Sequence, residues 1–291
     1  METSTQRPKL LVIVGPTASG KSDLAMKIAQ ESNGEIITAD SRTIYRGMDI
    51  GTAKPTPKEQ RQTAHWGLDL VQPGQLYSAA KFKKYAERKI KDIQSRGKLP
   101  ILVGGTGLYV DGVLFDFEFR SPVDPKQRQA LEKLSTEQLQ RIIEEKGYQT
   151  PQNRQNRRHL IRTIERQGTT GTKKQPKKDI LIIGLLPSGE ELKQRIHDRV
   201  EVWFKHGLSK EVQELLNTYG DKWLSSAGIG YRAVAEYLEG RSTLEEAKSI
   251  FEKEHWQYAR RQKTWFKRHK FIRWFDSPDK AYKEVSRLLN N

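Results

Sequence analysis

The sequence predicts an α/β protein: a parallel sheet with helices on both faces, a mainly helical insertion, and a basic helical C-terminal part. Three observations lead there. Short uninterrupted apolar runs recur, most ending at glycine or aspartate, as strands buried on both faces do. Amphipathic stretches at helical spacing separate them. Directly after the first run stands "GPTASGKS" (15–22), which fits the strand–loop–helix of a P-loop NTPase-like fold at Gly15, Gly20, Lys21 and Ser22.

Each element follows in order. "KLLVIVG" (9–15) reads as the first buried strand, and "EIITAD" (35–40) as a second, ending at Asp40. In "LYSAAKFKKYAERKIKDIQSRGK" (76–98), Phe82, Tyr85, Ile90 and Ile93 share one helical face, with a stop at Gly97. That helix feeds "LPILVGGTGLY" (99–109), a third strand running into a glycine turn. From Asp111 the regularity lapses. Residues 122–148 divide into two helices, for which Asp124–Pro125 and Ser135 make good starts, and 156–167 form another. "GTTGTKKQPKKD" (168–179) reads as a flexible basic loop, after which "DILIIGLL" (179–186) resumes the sheet. Residues 112–178 are therefore an insertion between core segments 1–111 and 179–291. Helices at 189–206, 208–218, 228–238 and 243–270, a short "FIRWF" strand (271–275) and a last helix to residue 289 complete the chain.

Composition narrows the class. A chain of 291 residues, 35% hydrophobic and 30% charged, suits a folded soluble protein. No apolar run reaches spanning length and "METSTQRPKL" has no apolar signal core, so no membrane partner and a cytoplasmic setting are expected. Without cysteine there is no disulfide, thiolate nucleophile or cysteine-metal site. The net charge of +16 is uneven: +5 over residues 1–150 and +11 over 151–291. Such an excess favours a polyanionic partner, with nucleic acid ahead of membrane surface, ribosome or a merely solvated basic surface.

In the loop, successive N–H groups wrap an anion, the glycines allow the tight path, and the next helix presents its N-terminus. Lys21 supplies positive charge and the Ser22 hydroxyl is suited to Mg²⁺. ATP hydrolysis does not follow, because strand 99–104 ends in "VGGTG" with no acid to organise a metal. The acid at a strand end is Asp40, either a group acting on an acceptor or the cap of the turn "DSRT". Thr106 reaches the same sheet edge, as a structural turn hydroxyl or as a substrate contact. Arg195 and Arg199, four apart in "ELKQRIHDRVEVWF" (191–204), form either a solvated stripe or a phosphate clamp.

Two segments hold the basic excess. Residues 153–178 have nine basic residues and one acid, Glu165; residues 253–274 have eight basic residues, six aromatics and one acid. In the second, Arg260, Lys263 and Lys267 share a face, while Tyr258, Trp265 and His269 lie on another and are mostly core. Guanidinium and aromatic groups both suit single-stranded RNA.

These stretches resemble one known family, the tRNA dimethylallyltransferases, also called tRNA isopentenyltransferases, of the bacterial and plastid type. The resemblance rests on "GPTASGKS" (15–22), "DSRTIYRGMDIGTAKP" (40–55), "YSAAKF" (77–82), "LPILVGGTGLY" (99–109), "GIGYRAVAEYLEG" (228–240) and "YARRQKTWFKR" (258–268). It implies transfer of a dimethylallyl group from dimethylallyl diphosphate to N6 of adenine 37, in tRNAs reading codons that begin with U. By the same resemblance, Asp40 is the general base and Thr106 hydrogen-bonds at the reaction centre. Gly15, Thr17, Ala18, Ser19, Gly20, Lys21, Ser22 and Arg199 hold the diphosphate, with Mg²⁺ at Ser22. Asp40, Ser41, Arg42 and Thr43 line the adenine pocket. Arg157, Arg158, His159, Leu160, Ile161, Gly228, Ile229, Gly230, Tyr231, Arg232, Arg261, Gln262, Lys263, Trp265, Lys267 and Arg268 fall in tRNA-contact regions. The insertion corresponds to an anticodon-arm domain, and a monomer is expected. Five positions depart from the family pattern: Thr43 for glutamine, Ala64 for proline, Trp66 for histidine, His159 for arginine and Trp256 for threonine. They leave tRNA selectivity open rather than the chemistry.

On this reading the loop holds a diphosphate leaving group, and ATP binds weakly at best. Two alternatives remain at this stage: a P-loop kinase acting on a nucleoside or RNA end, and an RNA-binding NTPase switch.

Overall fold

The computed structural model of the chain describes residues 8–117, 119, 124–168, 176, 179–225 and 228–290. It separates into two compact units, Met1–Leu114 with Pro176–Asn291, and Phe115–Gln175.

The first unit is built on six parallel strands: β1 (Leu10–Val14), β2 (Gly34–Thr38), β3 (His65–Trp66), β4 (Leu99–Gly104), β5 (Ile180–Leu185) and β6 (Arg273–Phe275). Their order across the sheet is β3-β2-β4-β1-β5-β6. β1 is central: Leu11 lies opposite Ile101 and Leu181, and Ile13 opposite Val103 and Ile183. All five of its side chains are buried, which explains a run without polar alternation. Each stabilises the fold by about 2 kcal/mol.

Helices α1 (Lys21–Glu31), α2 (Pro57–Gln62), α3 (Ala79–Ser95) and α4 (Gly107–Leu114) connect the first strands. Leu24, Ala25, Ile28 and Ala29 of α1 pack on one sheet face. Toward α4, the Phe82 ring of α3 stacks on Tyr109 with centroids 4.2 Å apart. Three elements were not expected. β3 is two residues long, too short for any period. α2 has a full capping box from Thr56 to Glu59, a signal that is local in the sequence. α4 is apolar except for the buried Asp111 and so lacks an amphipathic stripe; it claims "GLY" of the expected third strand, which stops at Gly104.

The second unit holds α5 (Pro125–Lys133), α6 (Thr136–Glu145) and α7 (Arg157–Glu165). Asp124 and Ser135 cap their helices as expected, accepting from the amides of Lys126 and Gln138. Leu131, Leu139, Ile143, Leu160, Ile161 and Ile164 form this unit's own small core. Most of the expected basic loop at 168–179 lies outside the described residues.

The chain returns to the first unit with α8 (Gly189–Lys205), α9 (Leu208–Tyr219), α10 (Tyr231–Leu238), α11 (Leu244–Phe266) and α12 (Pro278–Asn290). α12 contributes Ala281 and Val285 to the face covered by α1. α8 to α11 make a second apolar cluster around Trp203, Trp223, Tyr231 and Phe251, into which Ile44, Tyr45 and Met48 insert. The expected helix at 228–238 begins only at Tyr231, and the one at 243–270 ends at Phe266.

Candidate active site

β1 delivers the phosphate loop at its carboxyl end. A Cβ on Gly15 would lie 2.6 Å from the Leu185 carbonyl and 2.9 Å from Ser19 Oγ, so the loop tolerates no side chain there. Gly20 takes a left-handed conformation (φ 86°) as the N-cap of α1 and makes no side-chain cap bond. The first amides of α1 are thereby left for an anion. The Lys21 ammonium donates to the Pro16 carbonyl (3.1 Å). Desolvation in the cleft, assisted by Arg199, lowers its pKa to about 8, against the opposing pull of Asp40 and Asp23. Arg199, from α8, is held among buried groups, and that burial lowers its own pKa. Arg195 sits one turn earlier, donating to Glu191 (2.6 Å) and the Ala18 carbonyl (3.4 Å). It braces the loop from behind instead of forming a clamp. Ser22 is exposed and lines the cleft.

The neighbouring edge joins β2 to β4. Ala39 N–H donates to the Val103 carbonyl, and Thr106 N–H donates to the Ala39 carbonyl (3.2 Å). A Cβ on Gly104 would stand 2.1 Å from that same Ala39 carbonyl, so glycine permits the approach. Ser41 N–H then donates to Thr106 Oγ1 (2.9 Å). Asp40 Oδ1 accepts from Arg42 N–H (2.8 Å), so the aspartate does cap its turn, leaving Oδ2 for the cleft. Asp40 and Thr106, 66 residues apart in sequence, are thus held side by side at the mouth of the phosphate loop.

α11 closes the floor. Gln262 Oε1 accepts from Thr17 N–H (2.7 Å) and Gln262 Nε2 donates to the Gly105 carbonyl (3.1 Å). The fit is tight: a Cβ on Gly105 would lie 2.0 Å from Gln262 Nε2, and one on Gly107 would lie 2.2 Å from the Trp265 ring. The "GGTG" turn and "RRQKTWF" are therefore two halves of one contact. Tyr258, one turn before Gln262, lines the cleft. Burial, with Asp40 nearby, raises its pKa to about 12 and keeps it neutral.

The loop "GMDIGTAKP" forms a wall. Glu211 of α9 accepts from the amides of Asp49 (2.9 Å), Ile50 (2.6 Å) and Gly51 (3.3 Å), and from Tyr231 Oη (2.6 Å). The Tyr231 ring occupies the place of any side chain at Gly51, whose Cβ would approach it to 2.8 Å. Lys54 is buried and ties Asp49, Asp69 and the Tyr45 carbonyl together.

These parts line one cleft that is partly open to solvent. Thr17, Lys21, Ser22, Asp40, Arg42, Thr43, Arg199, Gly228 and Ile229 all line it, as expected of the loop, the acid and the turn residues. Its wall also contains groups not anticipated from the sequence: His65, Trp203, His255 and the reaction-side position of Tyr258. His255 stacks on Phe251 (4.7 Å between centroids), and burial pulls its pKa down to about 4, so it is a neutral, largely apolar wall group. Only its spacing of three residues to Tyr258 and seven to Gln262 in α11 hinted at this. Among the described residues there is no cluster of three or more His, Asp or Glu suited to a metal.

Several expected RNA contacts are corrected. Leu160 and Ile161 belong to the core of the second unit, Tyr231 is fully buried against Glu211, and Gln262 is buried against the loop. Their side chains are turned inward and brace their neighbours. Gly230 is likewise buried, packed under Phe251. Arg157 donates to the Leu134 and Glu132 carbonyls, capping the end of α5. Trp265 is half-buried against Gly107, with the Arg268 guanidinium 4.1 Å from its ring centroid. Arg158, His159, Arg232, Arg261, Lys263, Lys267 and Arg268 are exposed. Of the departures, Thr43 alone faces the cleft as a buried side chain, and its hydroxyl has no partner. Trp66 turns away, donating to Glu35 (2.8 Å), and Trp256 packs with the α8–α11 cluster.

Comparison with known proteins identifies the family. The model of the family described as IPP transferase matches residues 43–269. The tRNA dimethylallyltransferase of Carboxydothermus hydrogenoformans is 38% identical, covering 97% of this chain and 96% of that protein. One from Bacillus cereus is 40% identical over 94% and 92%. Among solved structures, the tRNA delta(2)-isopentenylpyrophosphate transferase from Staphylococcus epidermidis superposes with a TM-score of 0.72 at 34% identity, covering 97% and 98%. A eukaryotic dimethylallyltransferase acting on tRNA gives 0.77 at 25% identity, over 96% of this chain and 76% of that one. The chain belongs to the tRNA dimethylallyltransferase (IPP transferase) family, in its bacterial form.

Proposed function

We propose that the protein transfers the dimethylallyl group of dimethylallyl diphosphate to N6 of adenine 37 in tRNAs reading codons that begin with U, releasing diphosphate. The observation behind this reading is that a phosphate loop and a proton acceptor, Asp40, share one cleft, while β4 ends in glycines with no metal-organising acid. That pairing suits a phosphate that leaves and an amine that attacks better than it suits ATP hydrolysis.

The amides of residues 17–22, with Lys21 and Arg199, bind the diphosphate and offset charge growing on the departing oxygen. N6 forms its bond to the allylic carbon as the carbon–oxygen bond breaks, and that electron pair leaves with the diphosphate. Asp40 takes the N6 proton through Oδ2 while Arg42 N–H holds Oδ1. Thr106 hydrogen-bonds the base at the same edge. Ser22 Oγ, exposed in the cleft, would hold Mg²⁺, a cation that prefers substrate phosphates to an all-protein cage. When bound it would add positive charge to the leaving group.

The base leaves the stack of the anticodon loop to enter the cleft. Arg158 and Arg162 on the second unit, and Arg232, Arg260, Arg261, Lys263, Lys267 and Arg268 on the first, supply positive surface for the RNA backbone. The protein works in the cytoplasm as a monomer. ATP is not its substrate.

The test is incubation with dimethylallyl diphosphate, Mg²⁺ and an unmodified A37 stem-loop, followed by mass spectrometry. A dimethylallyl mass gain is expected with the native chain, reduced at least about a hundredfold in Asp40→Ala. Phosphate transfer from ATP without prenylation would overturn the reading in favour of a kinase.

A further inference from the structure

Helix α3 carries a positive stripe that the candidate site does not use. Lys81, Lys84, Arg88 and Lys91 are all exposed. Their spacing of three, four and three residues puts them within an arc of roughly 80° on one helical face, over a length of about 15 Å. Among the described residues, none of the four pairs with a carboxylate. The acids of the helix are taken on its flanks: Glu87 by Lys83 (3.6 Å), and Asp92 by Arg96 (3.2 Å) and Lys89 (3.9 Å).

This arrangement works against the helix itself. Like charges three and four residues apart destabilise a helix. Lys81 also stands in the first turn, beside the Ser78 cap, where the positive end of the helix dipole favours an acid. α3 has no acid there and no basic residue in its last turn. α8 and α11 show the favourable order, with Glu190 and Glu191, and Glu245 and Glu246, in their first turns. Unpaired positive charges kept in one line against local stability point to an external anion.

The stripe begins at the catalytic edge of the sheet. Tyr109 Oη donates to the Tyr77 carbonyl (3.3 Å) just before α3, and Tyr109 N–H donates to the Thr106 carbonyl (2.9 Å). The other end of α3 reaches the start of β2, where Arg96 and Lys98 hold Glu35. α4 touches both basic helices, through Tyr109 stacked on Phe82 of α3 and Gly107 under Trp265 of α11. The stripe thus leads away from the cleft. α3 exposes no large apolar side chain with which to enter a lipid surface.

We infer that the α3 stripe binds the phosphodiester backbone of the paired stem that carries the reacting loop. This inference rests on the proposed prenyl transfer to a tRNA anticodon loop. With the target base in the cleft, the loop lies at the catalytic edge, and the RNA that continues along the stripe is the stem. A paired stem offers its backbone and shape, not its base edges, and a line of long cationic side chains suits that surface.

The test measures binding by fluorescence anisotropy at several salt concentrations, for an unmodified anticodon stem-loop and for a single-stranded oligonucleotide of the loop alone. Three proteins are compared. One is the native chain, and one carries Lys81→Gln, Lys84→Gln, Arg88→Gln and Lys91→Gln together. The third, with Lys205→Gln, Lys210→Gln, Lys280→Gln and Lys283→Gln, loses the same net charge from other exposed positions. In the α3 variant the slope of log K against log salt should become shallower by about 3 for the stem-loop, the counterions of four phosphate contacts. Its slope for the loop oligonucleotide should not change, and the control protein should keep both native slopes. A stem of different paired sequence should bind the native chain equally well. The melting temperature of the α3 variant should not fall, because like-charge pairs are removed. kcat with saturating stem-loop and KM for dimethylallyl diphosphate should stay native. An unchanged stem-loop slope, an equal loss on the loop oligonucleotide, or an equal loss in the control protein would overturn the inference. So would intact RNA binding with lost binding to phosphatidylglycerol vesicles, which would give the stripe to a membrane surface. A native protein that prenylates no stem-loop would refute the functional reading itself, a separate outcome.

Discussion

Raising the pH should weaken diphosphate binding in a way that belongs to Lys21. Its pKa is lowered from 10.5 to about 8, burial first, with Arg199 adding to the effect and Asp40 and Asp23 opposing it. Binding a diphosphate requires the charged form. A pKa of about 8 leaves roughly half the free protein competent at pH 8 and roughly a tenth at pH 9. Below that pKa, kcat/KM for dimethylallyl diphosphate should be flat; above it, it should fall about tenfold per pH unit. kcat should stay nearly level, because the bound diphosphate favours the charged ammonium and moves the bound-state pKa up. The sign for folding is opposite: a lysine with a depressed folded pKa weakens the fold below that pKa, and the penalty is relieved as pH rises toward 10.5. The assay is initial rate at subsaturating diphosphate from pH 6.5 to 9.5, repeated in Lys21→Arg, whose charge does not titrate. K21R should have a lower plateau and no alkaline limb. Arg199→Met should move the limb upward, since it removes a like charge. A flat profile through pH 9.5, or a limb that survives in K21R, would refute the assignment.

Four further outcomes follow from the geometry. Glu211→Ala leaves the amides of residues 49–51 and the Tyr231 hydroxyl without their acceptor; denaturant unfolding should show a loss of about 3 kcal/mol. Glu35 is buried under Arg96, Lys98 and Trp66, and these partners, Arg96 foremost, lower its pKa to about 2. Its contribution is present above the ordinary value of 4.5 and is lost as pH falls toward 2, so acid unfolding of Glu35→Gln should lack that part of the slope. Gly107→Ala places a methyl about 2.2 Å from the Trp265 ring and should lower the melting temperature although alanine is the better helix former. Removing the charge of Arg261, Lys263 and Lys267 together should weaken stem-loop binding and reduce its salt dependence, read by titration at several ionic strengths, while leaving diphosphate binding intact.

The sequence by itself determined what local spacing encodes. The phosphate loop was legible because its anion cradle is eight consecutive residues between a strand and a helix, and "VIVGPTASGKS" contains all of it. The buried strands were legible from apolar runs, and the caps at Asp124 and Ser135 from residue type. Asp40 was singled out because it follows a strand end, a local fact as well. The tertiary structure decided which side chains meet. Gln262 reaches the amide of Thr17 across 245 residues of sequence, and Glu211 reaches Asp49 across 162. No period or spacing marks either contact, since a helix pattern gives the buried face without saying what lies opposite. That is why Tyr231 and Gln262, set within stretches expected to touch RNA, proved to be buried supports. It is also why Tyr258, expected as core, stands beside Thr106 and Asp40. Helical periodicity sorts inside from outside; only packing tells a core contact from a cleft wall, because both faces are shielded from water and both are lined by the same residue types.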